Sequence, residues 1–514
     1  MGWTHAYDIH IDEAIPGMVQ TGNIGTACPT FNMTLTGNGV DRQDFFGGEH
    51  NYQRDADGLY TPPVYLHDQL TSNYLQLMAN GPSEVSDDTQ TDNSGTTKHF
   101  FKNGNERDCD WIQDRHGNTT TLQYNQPATM DDGTIRNLLT KVTDPSGRSL
   151  TFTWTNLGTT GQPAWRITEV DAPVDPTTSA PLYRVTYDYY TDPTSANADN
   201  ELYNLKDVTL DPDNLDRVTT FTYTGVTGDQ GSCNGLLASI SDPLGHTVSY
   251  TFTLVGSEDN SSYPTLTGTA WVASILEPGG IDSTGQPRQL TWSIASPWWG
   301  APGSGSCTYT SWLGLGVDNE LAGGLGTGPY IGIDMDQNLR ACIIRPYYTT
   351  TGYELDYDGA NNIIREWKYA TTLAWVPMEY WRIDDYTFGP IGNVLTHTVN
   401  GYAGQDTTTY YDDTKYFQKA TETDCNGHTT TYDYYTANDT NPGNRGNTKT
   451  VHDARYAATG AQYSYTYNQY GQKETETNLN GVQTWYSYGD SWGNLTQVVQ
   501  DPGTGHLNRT TTMS

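Results

Sequence analysis

The residues best suited to chemistry in this 514-residue chain are its 60 Asp and Glu side chains. Their spacing points to turns rather than to catalysis. Paired carboxylates can serve as general acid and base. Here, however, most Asp residues head a short turn, where capping of backbone amides accounts for them. Asp334-Met-Asp336-Gln-Asn338 begins like a calcium loop, but that loop needs Gly at its sixth position and Glu at its twelfth, where Leu339 and Arg345 stand. Asp211, Asp213 and Asp216 form an acidic turn that would suit calcium, with a plain turn as the simpler alternative. The eleven histidines are scattered. His116, His246 and His428 recur in or beside turns, which suggests a shared structural position rather than a metal site. No G-x-S-x-G elbow, H-E-x-x-H helix or phosphate loop is present. The cysteines are Cys28, Cys109, Cys233, Cys307, Cys342 and Cys425; no C-x-x-C pair exists, and one or two disulfides remain open. No catalytic residue, metal ligand or cofactor is expected.

The Asp residues belong to a repeat. Asp114-Arg-His-Gly117 runs on to Tyr124, Asp144-Pro-Ser-Gly147 to Trp154, and Asp242-Pro-Leu-Gly245 to Phe252. Asp424-Cys-Asn-Gly427 runs on to Tyr434, and Asn478-Leu-Asn-Gly481 to Tyr488. The spacing from Asp or Asn to Gly to the closing aromatic is the same each time. A further copy, Asp211-Pro-Asp-Asn214 through Phe221 to Tyr223, is two residues longer after the turn. Asp accepts amide hydrogen bonds ahead of it, and Gly permits a left-handed exit. The segment after Gly alternates, as in Thr247-Val-Ser-Tyr-Thr-Phe252, which predicts a half-buried strand. One such unit cannot bury its rings alone, so copies must line up edge to edge.

Composition agrees. Only 35% of the chain is hydrophobic, yet 12% is aromatic, with 37 Tyr and 14 Trp; mean hydropathy is −0.66. That mixture argues against disorder and for a thin sheet cored by rings. The formal charge of −34 repels phosphate backbones and anionic lipid, so neither nucleic acid nor a membrane surface is an expected partner. No apolar run is long enough for a membrane span. The opening residues lack the basic end and apolar core of a signal peptide.

Four stretches are distinguishable. Residues 1–110 form an N-terminal β region with few clear copies. Residues 111–254 hold repeats. Residues 255–410 are divergent, with a Gly- and Trp-rich stretch from Trp292 to Gly328 read as a partly ordered insertion; Trp298 and Trp299 within it are candidate glycan contacts. Residues 411–514 hold repeats again, and the chain ends within the array.

These residues resemble the rearrangement-hotspot (Rhs), or tyrosine–aspartate (YD), repeat family. Gly2-Trp-Thr-His-Ala-Tyr7 is similar to the Gly-Trp-Thr-His-Ser-Tyr segment with which many such shells begin. Asp114-Arg-His-Gly-Asn118 matches the family's Asp-Arg-Asn-Gly-Asn turn with one change, and Val142 to Leu150 and Ile240 to Gly245 match closely. The resemblance implies an all-β fold, a long antiparallel sheet spiralling into a partial hollow shell or cocoon. It implies a structural role without catalysis: enclosing or scaffolding a toxin or surface-exposed effector. A carbohydrate-binding or cell-surface adhesion module is the alternative. The implied partners are a C-terminal toxin or cargo domain absent from this chain and secretion machinery or a cell-surface glycan; the implied location is secreted or cell surface. The family's self-cleaving segment and toxin domain are not visible after Asp501-Pro-Gly503, which suggests a truncated gene, an incomplete reading frame or one part of a split system.

Overall fold

The structure is a computed structural model. It describes strands from His10 onward, and side chains for most of residues 89–252 and 353–513. Among the described residues, one 35-stranded antiparallel sheet takes in every strand except the hairpin of Val19–Gly22 with Phe31–Thr34. From Glu106–Gln113 to Arg509–Thr512 each strand pairs with its neighbours in sequence. The sheet passes without a break through the divergent stretch. Pro287–Trp298 and Tyr309–Val317 are ordinary members of it. Within the stretch Trp292 to Gly328, read as a partly ordered insertion, these two segments are strands of the sheet, and 299–308 and 318–328 lie outside the described residues; alternating Leu290, Trp292 and Ile294 already carried the strand signal.

Near its start the sheet closes on itself. His10–Glu13 pairs with both Gly39–Gln43 and Glu106–Gln113. Intervening strands link those two partners through Thr97–Asn103, giving a closed circuit of hydrogen bonds. Closure removes an open sheet edge. The long strip leaves this circuit where Thr119–Thr129 pairs with the far end of Glu106–Gln113. A buried knot marks that departure. Asp108 is held by Arg136, with Nη2 to Oδ1 at 2.5 Å, and by Asn103 Nδ2 at 2.5 Å; Asn103 also bonds the backbone of Asn137.

The two faces of the strip have different chemistry. One carries the apolar and aromatic positions. Leu122, Leu139, Val142 and Phe152 are buried together, flanked by Tyr124, Trp154, Ile167 and Val170; Leu205, Phe221 and Tyr223 form the next cluster. The other face is a lattice of hydroxyls paired across strands, as at Thr143–Ser149 (3.0 Å), Thr222–Ser239 (2.6 Å), Thr409–Thr421 (2.7 Å) and Thr466–Thr475 (2.8 Å). Such cross-strand pairs stabilise a sheet without a second layer. This is why the chain folds with so little aliphatic material.

Candidate functional site

The five equally spaced turns share one backbone pattern. At Asp114 the backbone N–H donates to Asn118 O (3.0 Å), and Gly117 N–H donates to Asp114 O (3.0 Å). Asp114 Oδ1 accepts the amides of His116 and Asn118, both at 2.9 Å. Asp144, Asp242, Asp424 and Asn478 repeat the two-amide pattern. Gly117, Gly147, Gly245, Gly427 and Gly481 all have φ between +76° and +87°, a backbone region where a Cβ is strained.

The sequence reading missed the position after the glycine. In four of the five copies its side chain donates to the second carboxylate oxygen: Asn118 Nδ2 at 2.8 Å, Arg148 Nε at 2.5 Å, and His246 and His428 Nδ1 at 2.9 Å each; in the fifth, Val482 follows Gly481. The available signal was that Asn, Arg and His, all donors, follow Gly. These bonds and the amides hold the carboxyls of Asp242 and Asp424 below the ordinary carboxylate range; the His246 side chain leads for the first and the His428 amide for the second. His116 does not share this position. It is the third residue of its turn and points elsewhere, which corrects the grouping of His116 with His246 and His428. The carboxylates of Asp114, Asp144, Asp242 and Asp424 each accept two amides and one side-chain donor, the work of turn caps. Among the described residues no group of three His, Cys, Asp or Glu is arranged to hold a metal. Asp211 has φ +53°; Asp213 and the side chain of Asp334 lie outside the described residues, as do the side chains of Trp298 and Trp299.

The closing aromatic has a defined task. A register shift stands immediately before Tyr124, Trp154, Phe252, Tyr434 and Tyr467. A bulge bends the strand and leaves a backbone group unpaired. In several copies the residue opposite the bulge then offers its carbonyl to the next aromatic along the strip. Leu139 faces Tyr124 and accepts from Trp154 Nε1 at 2.7 Å. Ile167 faces Trp154 and accepts from Tyr189 Oη at 2.7 Å. Thr448 faces Tyr434 and accepts from Tyr467 (2.9 Å); Lys473 faces Tyr467 and accepts from Tyr488 (3.0 Å). The aromatic thus covers the polar defect that curvature creates one repeat earlier.

From 363 onward the ring-bearing face becomes polar. Asp384, fully buried, binds Arg382 through both oxygens (2.6 and 2.7 Å), Lys368 (3.2 Å) and His397 Nε2 (2.8 Å). Burial opposes its charge, but the hydrogen bonds from Arg382, His397 and Lys368 hold its carboxyl far below the ordinary range. Tyr386 stacks on His397 at 4.7 Å. Two Lys–Glu–Tyr groups follow: Lys419, Glu422 and Tyr432, then Lys473, Glu476 and Tyr486. Burial, reinforced by Glu422, pushes the Tyr432 phenol up to about 12.

Of the cysteines, Cys109 is buried and free, its thiol pushed up to about 12 by burial. Cys425 is free and exposed, and Cys233 is disulfide-bonded.

Residues far apart in sequence meet at one edge of the strip. Arg115 Nη2 donates to Asn447 Oδ1 (3.3 Å), and its guanidinium lies over the Tyr416 ring at 5.6 Å. His116 Nδ1 donates to Pro442 O (3.2 Å), and Asn118 Nδ2 to Tyr470 O (3.0 Å). The hydrogen-bonded partners are 326 to 352 residues apart. Bare glycines make the approach feasible: a Cβ on Gly471 would stand 2.7 Å from the His116 ring, and one on Gly446 3.0 Å from Arg115 Cδ. Tyr416 itself is left-handed, φ +54°, a strained state that surrounding contacts must hold. The strip therefore coils until a later length lies against an earlier one. The chain resembles the Rhs and YD-repeat proteins.

No family model matches the chain, and no curated protein does. Among solved structures it is similar to a chain of the Photorhabdus luminescens Tc holotoxin pore at 14% identity, covering 92% of this chain and 22% of that one, TM-score 0.36. It is similar to TcdB2–TccC3 without the hypervariable C-terminal region at 13% identity, covering 97% and 27%, TM-score 0.37. A porin-like protein from Bacteroides uniformis is similar over 55% of this chain, with 13% identity and TM-score 0.23. The chain spans roughly a quarter of the length of the Tc chains it matches.

Proposed function

We propose that this chain is a wall segment of an Rhs- or YD-type shell, which acts by enclosing or scaffolding a toxin or surface-exposed effector and has no catalysis of its own. The observation that supports this reading is the edge contact between lengths of strip more than 300 residues apart. A sheet that meets its own earlier coil edge to edge bounds a volume, whereas a flat or randomly folded meander does not. Use of the turn carboxylates as amide caps favours a wall over an enzyme. The place of work is outside the cell or at its surface, with a cargo domain and a secretion machine as partners. The four stretches from 1–110 to 411–514 are read as parts of one wall.

The test is direct. Particles of the full chain, imaged by electron microscopy, should be curved and hollow. Cysteines placed at Arg115 and Asn447 should be joined within one chain by a short bifunctional maleimide, which spans the gap the arginine side chain now fills and a direct disulfide would not. Solid globules, or failure to cross-link in the folded chain, would remove the shell. The glycan-contact reading of Trp298 and Trp299 has no described side chain in its favour.

A further inference from the structure

The seam, where the turn at 114–118 meets the later length of strip, is held differently from the sheet on either side of it. Its described contacts are hydrogen bonds from Arg115, His116 and Asn118, a cation over a ring, and close approaches to glycine. None of the buried apolar side chains among the described residues belongs to 94–96, 114–118, 411–418 or 435–447. Regions with few buried apolar contacts are the ones that open most readily. The strands on each side are joined by continuous backbone ladders. The seam can therefore part while both lengths keep their structure.

One side chain spans it. The Tyr416 ring lies in a slot between two bare glycines. A Cβ on Gly95 would stand 2.8 Å from its Cδ1, and one on Gly446 2.6 Å from Cδ2, on the opposite edge of the ring. The Arg115 guanidinium lies over the ring, 5.6 Å from its centroid. Gly95 and Arg115 belong to turns of the early length, Gly446 to the loop 435–447 of the later one. The ring thus touches three segments at once.

The backbone that carries this ring is strained. Tyr416 has φ +54° and ψ +39°, and Phe417 has φ +52°. Among the described residues this is the one place where two successive non-glycine residues have positive φ. A Cβ disfavours that region, and aromatic residues do not visit it routinely. Such a state persists only when surrounding contacts over-determine it. Inside the loop, Phe417 N–H donates to Asp412 O (3.0 Å) and Tyr411 N–H to Gln418 O (2.9 Å). The slot supplies the contacts from outside. Once the ring leaves it, the strain is free to relax, and a relaxed loop no longer aims the ring at the slot.

We propose that Tyr416 is a two-position latch. Seated between Gly95 and Gly446, with 416–417 left-handed, it holds the seam closed. Withdrawn, with 416–417 right-handed, it releases all three segments together. The inference rests on the shell reading, to which it adds a way for the enclosed volume to open without unfolding either length. A shared slot and a strained seat make the change a switch between two discrete arrangements, not a gradual fraying.

The experiment is amide hydrogen exchange on the full chain. The turns at 424–428 and 478–482 serve as reference, since a Cβ on Gly427 or Gly481 would meet nothing within 4 Å. Tyr416→Ala empties the slot. Exchange at 94–96, 114–118 and 442–447 should then rise about tenfold or more, by a common factor, with the reference turns unchanged. Phe417→Ala and Phe417→Gly both lose the second ring and keep Tyr416, but only the glycine is unstrained at positive φ. The glycine variant should exchange more slowly than the alanine one in all three segments, by about twofold or more, although glycine ordinarily loosens a loop. Gly446→Ala presses on the Tyr416 ring from the far side and should raise exchange at 94–96. A rise confined to 442–447, unrelated factors in the three segments, or a glycine variant no slower than the alanine one would overturn the latch. Should Tyr416→Ala raise the reference turns as well, Gly446→Ala decides: no response at 94–96 sinks the proposal. The shell reading has its own control. If 114–118 exchanges as freely as the reference turns in the unaltered chain, there is no seam and both readings fail; if it is protected but does not answer to Tyr416→Ala, only the latch is lost.

Discussion

The repeats of 111–254 and those of 353–513 share one turn and one bulge but are cored differently. In the early length the ring-bearing face is sealed by Leu122, Leu139, Val142, Phe152, Leu205 and Phe221, all buried. In the later length the same face holds Asp384 with its cations and the Lys–Glu–Tyr groups, and among the described residues Asp384 is its one fully buried side chain. The backbone programme is thus independent of what fills the face. What must be constant is the device that makes and covers each bulge. What can vary is whether the face is closed by apolar area or by paired charge, two solutions with opposite responses to salt.

The largest effects should separate the two solutions. Phe152→Ala removes a buried ring from the early cluster and should cost about 3 kcal/mol. Asp384→Ala strands Arg382, Lys368 and His397 around an empty site and should cost about 3 kcal/mol as well. Salt tells them apart. Hydrogen exchange at 363–410 in the native chain should quicken between 0.05 M and about 1 M sodium chloride, where screening reaches ~3 Å, while exchange at 119–170 should not. Equal salt responses in both lengths would erase the distinction.

The two lengths meet at the seam, and paired glycines test that meeting. Gly481→Ala meets no atom within 4 Å but keeps φ +76°. It should cost only the backbone strain, about 1 kcal/mol. Gly471→Ala has the same strain, φ +82°, and drives a methyl to 2.7 Å from His116. It should cost about 2 kcal/mol or more and should release the exchange protection of 114–118, which Gly481→Ala should leave intact. Identical behaviour would mean that the contact contributes nothing.

Much of this was legible in sequence, because the turn is local. Asp, Gly and the aromatic sit at fixed spacing, and each position has a short-range reason. The hydroxyl lattice was implicit in the Thr alternation. The seam was not legible. His116 precedes its glycine whereas His246 and His428 follow theirs, so its separate position was readable; its task was not, because Gly471 and Pro442, which face it, lie more than 300 residues away. The Asp384 network was equally hidden, since Lys368, Arg382, Asp384 and His397 come from three strands and follow no motif. Buried polar groups of this kind are assembled by register, which single-sequence spacing does not fix.

Smaller effects probe the shared device. Tyr467→Phe leaves the Thr448 carbonyl without its donor and should cost about 1 kcal/mol. Phe252 occupies the same position in the early length but has no hydroxyl to give. Phe252→Tyr should recover part of that amount, provided the bulge opposite Leu237 at Tyr223 is shaped like the others. If neither substitution alters the melting temperature, the aromatic acts by packing alone.

The smallest expected effect is a pH dependence at the seam. Burial holds the His116 imidazole below its ordinary value of 6.5; its bond to Pro442 O and the Asp114 charge act against that shift, and Arg115 and Arg445 act with it. The unfolded chain therefore binds this proton more readily than the folded one. The stabilisation from neutral His116 is present above 6.5 and declines as pH falls below it. The protection of 114–118, taken relative to intrinsic amide exchange at each pH, should fall from pH 7.5 to 5.5, with no matching change at 144–148, where Ser146 holds the corresponding position. His116→Gln retains a neutral donor for Pro442 O and should flatten the profile. A profile that survives the substitution would place the titrating group elsewhere, and the contact between the two lengths would then owe nothing to the charge state of this ring.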